Sequence, residues 1–224
     1  MATGSGGVRL VTICGCSGGD AGPQSIYKLF NDQKTLYTHL PYSTVPDKVE
    51  ENAHNVVEVV NKQCDESRGN MGVILMGHSM GGAVAVMAAK ILQQEDRRLV
   101  HGIVLINPQT EGLIHLQDIQ VPLLTINAEK DEYFPLWQCE SLYSRHKGLQ
   151  HRLLIEGLGH DLERVGSSIQ SVAHTQALFD VIVREMDDIF IHRRQRGKES
   201  KLVSIPGSGS TGTSRPTNRQ CTIL

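Results

Sequence analysis

A chain of 224 residues, 39% of them apolar and 21% charged, has the size and composition of one substantial globular domain. A formal net charge of −2 gives no case for a nucleic-acid partner. No run of about 18 apolar residues is present, so no segment reads as a bilayer-spanning helix.

Residues 1–7, Met-Ala-Thr-Gly-Ser-Gly-Gly, read as a flexible N-terminus without the basic start and apolar core of a signal peptide, which predicts a cytoplasmic protein. Val8 to Gly15 is a β-branched run and the expected first strand, followed by a glycine-rich loop from Gly15 to Asp20. Ser25 to Asn31 predicts a short helix through Ile26, Leu29 and Phe30, and Thr35 to Leu40 a second strand. Pro46 opens another helix, with cap chemistry from Thr44 and Asp47 and one apolar stripe through Val49, Ala53, Val56 and Val60.

Val73-Ile74-Leu75-Met76 is an unbroken apolar run, as expected of a parallel strand buried on both faces. Ala83, Ala85, Ala88, Ala89, Ile91 and Leu92 continue it as a small-residue helix. Between them Gly77-His78-Ser79-Met80-Gly81 fits G-x-S-x-G, the nucleophile elbow. A serine on so sharp a strand-to-helix turn has an exposed hydroxyl, and the flanking glycines remove side chains that would hold strand and helix apart. The Met80 N–H, at the helix N-terminus, faces the place where negative charge would develop.

Leu99 to Asn107 is the expected fourth strand, ended by Pro108, and residues 108–121 are too few for a folded insertion. Val121 to Asn127 predicts a fifth strand, Leu136 to His146 a helix, and Gln150 to Ile155 a sixth strand. A helix from about Ser168 to His192 would turn Ile169, Val172, Phe179, Val183, Met186 and Phe190 toward the sheet. Short strands alternating with helices define an α/β fold, a doubly wound, mostly parallel sheet covered on both faces, over residues 8–195. Residues 196–224, rich in Gly, Ser, Thr, Pro and basic side chains, read as a disordered tail.

A serine hydroxyl becomes a nucleophile only when a base takes its proton, and a carboxylate must hold that base in the right tautomer. The sequence offers both at later strand ends, in the order Ser79, Asp131, His160. Asp131 lies in the loop after the fifth strand, with Glu129, Glu132 and Asp161 as rival acids, and His160 in a glycine-flanked turn after the sixth. His78 is expected to pack beside the elbow, and His54, His101 and His174 to be structural or solvated. Five scattered cysteines, Cys14, Cys16, Cys64, Cys139 and Cys221, form no C-x-x-C pair and argue for free thiols, with no metal site and no cofactor expected.

Gly77-His78-Ser79-Met80-Gly81-Gly82, Asp131 with Pro135 four residues on, and Gly157-Leu158-Gly159-His160 together resemble the α/β-hydrolase superfamily, over about Val8 to His192. The resemblance implies a serine hydrolase acting on esters, thioesters or amides through an acyl-enzyme. It also implies a second oxyanion donor from the loop after the first strand, matched here by the Cys16 N–H. Three departures stand beside it: Cys14 where a histidine is usual, Ala128 where glycine is usual, and a chain that begins without the family's first antiparallel strands. The short segment from Pro108 to Val121 replaces the helical cap of many relatives, and an open site of that kind suits a bulky acyl substrate as well as a small ester.

Two other classes remain open on sequence alone, an acyltransferase on the same triad and a non-catalytic binding protein of the same fold. Cys221-Thr222-Ile223-Leu224 matches C-a-a-X, so Cys221 is a candidate prenylation site for attachment to the cytoplasmic face of a membrane. An unmodified end would instead suit a PDZ-type partner.

Overall fold

The computed structural model describes residues 7–13, 26, 28–29, 37–40, 48–66, 71–95, 99–163, 172–191 and 199–205. Seven strands form one sheet: β1 (Gly7–Ile13), β2 (Tyr37–Leu40), β3 (Met71–His78), β4 (Val100–Ile106), β5 (Leu123–Ala128), β6 (Gln150–Ile155) and β7 (Glu199–Val203). Their order is β2-β1-β3-β4-β5-β6-β7, and every neighbouring pair is parallel. The chain steps from β1 outward to β2, returns to the other side of β1 with β3, and then proceeds in one direction. The order therefore reverses between β1 and β3, the place in an open parallel sheet where ligands bind beyond the strand carboxyl ends. Ile13 pairs with Gly77 there, so β1 ends beside the last residues of β3, just before the elbow.

The helices are α1 (Val49–Glu66), α2 (Met80–Glu95), the short α3 (Thr110–Leu113), α4 (Leu136–Tyr143) and α5 (Val172–Met186). Strand residues alternate between two apolar layers because both sheet faces are covered. Val73, Leu75, Ile103 and Leu105 pack with Ala53, Val56 and Val60 of α1 and with the alanines of α2. Ile74, Met76, Val104 and Ile106 point the other way, onto Leu178, Phe179 and Ile182 of α5.

One expectation is corrected. The sheet has seven strands, not six, because residues 199–203 pair in parallel with β6 from His151↔Glu199 to Ile155↔Val203; the folded unit thus runs past residue 196, into the stretch read as a disordered tail. The last helix faces the sheet as expected where it is described: Phe179 and Met186 are buried, Val183 and Phe190 pack against the same cluster, and Leu178, Ile182 and Ile189 join them. A π-helical turn follows over Asp187–Ile191, and Phe190 lies over Gly102, where a Cβ would come within 2.1 Å of the ring. The segment after β4 forms α3 and a 3₁₀ turn at Ile114–Asp118, and Gly112 sits so close to α2 that a Cβ would lie 2.4 Å from the Ala83 Cα. Much of the predicted Ser25 to Asn31 helix, and the Thr44, Pro46 and Asp47 start of α1, lie outside the described residues.

Candidate active site

Ser79 takes the turn between β3 and α2 with φ of 53°, a conformation a non-glycine residue adopts at a cost of roughly 1–3 kcal/mol. The surroundings hold it there. Its N–H donates to the Ile106 carbonyl at 3.0 Å, and its own carbonyl accepts from the N–H groups of Gly82 at 3.0 Å and Gln109 at 2.9 Å. Glycine is required on either side by close approach: a Cβ at Gly77 would stand 2.1 Å from the Gly81 carbonyl oxygen, and one at Gly82 would stand 2.6 Å from Pro108 Cβ. Met80 begins α2, which places its N–H in the first turn, at the positive end of a 16-residue helix.

Two neighbouring strand ends carry the candidate acid and base. The loop after β5 and the turn after β6 are joined by Glu129 N–H to Ile155 O at 2.9 Å, Lys130 N–H to Leu158 O at 2.8 Å, and Gly157 N–H to the Glu129 carboxylate at 3.0 Å. Across that seam His160 Nδ1 meets Asp131 Oδ2 at 2.9 Å, with the Asp131 side chain 1% exposed. The other Asp131 oxygen accepts the N–H groups of Tyr133 and Phe134, each at 2.9 Å. Burial pushes the Asp131 carboxyl up. The His160 ring N–H and the two backbone donors outweigh it, and the group sits below the usual carboxylate range. A carboxylate accepts only, so Nδ1 of His160 is the protonated nitrogen and Nε2 carries the lone pair.

The rival acids are occupied elsewhere or solvated. Glu129 holds the Gly157 amide, Glu132 is exposed, and Asp161 lies 4.0 Å from His78 Nε2. His78, fully buried, packs its ring 4.8 Å from that of His160 and donates Nε2–H to the His160 carbonyl at 3.0 Å. Ser79 directly follows it in the chain, so nucleophile turn and base turn are in contact through His78. His54 is exposed, His101 is only partly exposed and packs over Gly72, and His174 is buried in α5, in keeping with structural or solvated roles.

Asn107 was not singled out from the sequence, although its place invites it: an asparagine at a strand end, followed by proline. It is fully buried with φ of 41°, a left-handed conformation that asparagine tolerates better than most residues. Its Oδ1 accepts the Ala128 N–H at 2.7 Å, and its Nδ2 donates to the His160 carbonyl at 2.6 Å. One side chain at the end of β4 thus ties the end of β5, ahead of Asp131, to the His160 turn.

Beneath the acid, Asn127 donates to the buried Tyr143 hydroxyl at 3.2 Å, and burial raises that phenol well above its ordinary value. Cys139, behind Asp131, is pushed by burial up to about 11 and is a thiol at neutral pH. His78, His160 and Asp161 offer ligand atoms within 4.8 Å of one another, the one such grouping among the described residues. The His78 Nε2 is committed as a donor to a carbonyl, so that nitrogen has no lone pair for a cation. Cys16, matched to the second oxyanion donor, and Cys221 lie outside the described residues.

Comparison with solved structures finds this architecture repeatedly. A dienelactone hydrolase from Anabaena variabilis superposes with a TM-score of 0.64 at 14% identity, covering 84% of this chain and 88% of its own. Est1E from Butyrivibrio proteoclasticus gives 0.62 at 12%, covering 83% and 89%. An alpha-beta serine hydrolase homologue from Coxiella burnetii gives 0.62 at 12%, covering 81% and 85%. At such identities the likeness is one of fold. Comparison with curated protein sequences returns no match. The sequence profile described as "alpha/beta hydrolase fold" matches residues 35–209, most of the chain, and this membership supports hydrolase chemistry. By fold and by sequence profile, this chain belongs to the α/β hydrolase family.

Proposed function

We propose that the protein is a serine hydrolase of carboxylic esters or thioesters, with Ser79 as nucleophile, His160 as general base and acid, and Asp131 as the carboxylate that orients it. The observation that carries this reading is the 2.9 Å bond from His160 Nδ1 to a buried, ionised Asp131, on a turn packed against the elbow. With Nδ1–H so engaged, Nε2 is free to take the Ser79 proton as Oγ attacks the acyl carbonyl. The tetrahedral oxyanion would be held by the Met80 N–H and, as the family resemblance implies, the Cys16 N–H; losing one such donor typically costs about 3 kcal/mol of transition-state stabilisation. His160 then protonates the departing alcohol or thiol, and water, deprotonated by the same nitrogen, releases the acid and restores Ser79.

The test is turnover of acetyl and longer acyl esters, and of the matching thioesters, by wild type and Ser79→Ala. Wild type should hydrolyse at least one series and the variant should lose about 10⁶ in kcat. Equal turnover by both proteins would remove Ser79 from the chemistry.

A further inference from the structure

Only ten of the 224 residues are aromatic, four Phe, one Trp and five Tyr, yet three of them fall within Tyr133-Phe134-Pro135-Leu136-Trp137. This segment follows Asp131 directly and is tied to it, since the Tyr133 and Phe134 N–H groups both bind its carboxylate. Their rings stand against the base: Tyr133 meets the His160 imidazole edge-on at 5.1 Å between centroids, and Phe134 lies tilted at 5.4 Å. Tyr133 is 65% exposed, and Trp137, at the start of α4, is 72% exposed. A lone exposed aromatic carries no message. Two rings packed on the proposed catalytic imidazole, followed three residues on by an exposed tryptophan at a helix start, give apolar surface beside the place where a substrate must sit.

We propose that Tyr133, Phe134 and Trp137 form the leaving-group subsite, and that it takes an apolar, preferably aromatic, alcohol or thiol moiety. The inference rests on His160 as the proton donor of the reading above. When the acyl carbon–oxygen (or carbon–sulfur) bond breaks, its electron pair goes to the departing atom, which takes the proton from His160 Nε2 while the acyl group stays on Ser79 Oγ. The leaving group is therefore the part of the substrate nearest His160, and aromatic rings packed on that imidazole flank it. Tyr133 and Trp137 offer large rigid faces at little entropic cost, suited to stacking against an aryl ring.

The experiment uses two isomeric esters, benzyl acetate and methyl phenylacetate, which carry the same ring on the leaving and the acyl side respectively. Wild type should prefer benzyl acetate in kcat/KM. Trp137→Ser and Tyr133→Ala should each lower the ratio of the two kcat/KM values about tenfold, chiefly through KM for benzyl acetate, and Trp137→Phe should restore most of it. A ratio unchanged in the variants, or a loss confined to methyl phenylacetate, would overturn the proposal. Because Trp137 is the sole tryptophan, its fluorescence in Ser79→Ala reads binding without turnover. A saturable change with benzyl acetate, weaker with methyl acetate, supports the subsite even if wild type hydrolyses neither ester; no change with benzyl acetate overturns the subsite even if hydrolysis is intact.

Discussion

The Ser79 turn and the Asp131–His160 platform, the proposed nucleophile and acid–base pair, solve the same problem, holding one side chain at a strand end, in opposite ways. Around Ser79 the determinants are local: Gly77 and Gly82 allow strand and helix to close, and the strained φ of 53° is met within a few residues and by the neighbouring β4. Around His160 they are long-range. Its carbonyl is gripped by His78 from β3 and Asn107 from β4, its ring by Asp131 after β5, and its turn by the amides of Glu129 and Lys130. A short motif can specify the first arrangement, whereas the second exists only once four strands are in register. The elbow should therefore fail at a single residue and the platform by degrees.

Gly77→Ala should do the greatest harm, because the new methyl meets backbone at 2.1 Å, with no flexible side chain to give way. Ester turnover should vanish and unfolding free energy should fall by about 3 kcal/mol in denaturant titration. Asp131→Asn keeps the shape but favours the wrong imidazole tautomer, and should lower kcat about 10⁴-fold in steady-state assays. It should also alter acid unfolding. The folded Asp131 carboxyl is held low, so its stabilisation is complete above the unfolded value near pH 4 and is lost as pH falls through the lower folded value. The variant should show a shallower loss of stability in that range by urea unfolding at stepped pH. Asn107→Ala, which frees the His160 carbonyl on one side and leaves the Ala128 amide unpaired, should lower kcat about a hundredfold with little change in KM. Asn107→Gly, unstrained at φ of 41°, should lose as much activity; recovery in the glycine variant would show that backbone strain, not the two side-chain bonds, was responsible.

The same division explains what could be read from the chain alone. Ser79, Asp131 and His160 stand at strand ends visible as apolar runs followed by polar or glycine-rich turns, so their order and placement were legible. Asn107 was not, because its partners lie 21 and 53 residues away and its role appears only when β4, β5 and β6 are adjacent. Strand β7 was missed for another reason. Glu-Ser-Lys-Leu-Val pairs on one side only, with Leu202 45% exposed, and an edge strand of that composition lacks the apolar run that marks the central strands.

The most direct test of the triad is covalent. Wild type treated with a fluorophosphonate should acquire one adduct, mapped by peptide mass spectrometry to Ser79, at a rate that falls at least about a hundredfold in His160→Gln while the folded spectrum is kept. Labelling at another residue, or equal labelling of Ser79 in both proteins, would contradict the account.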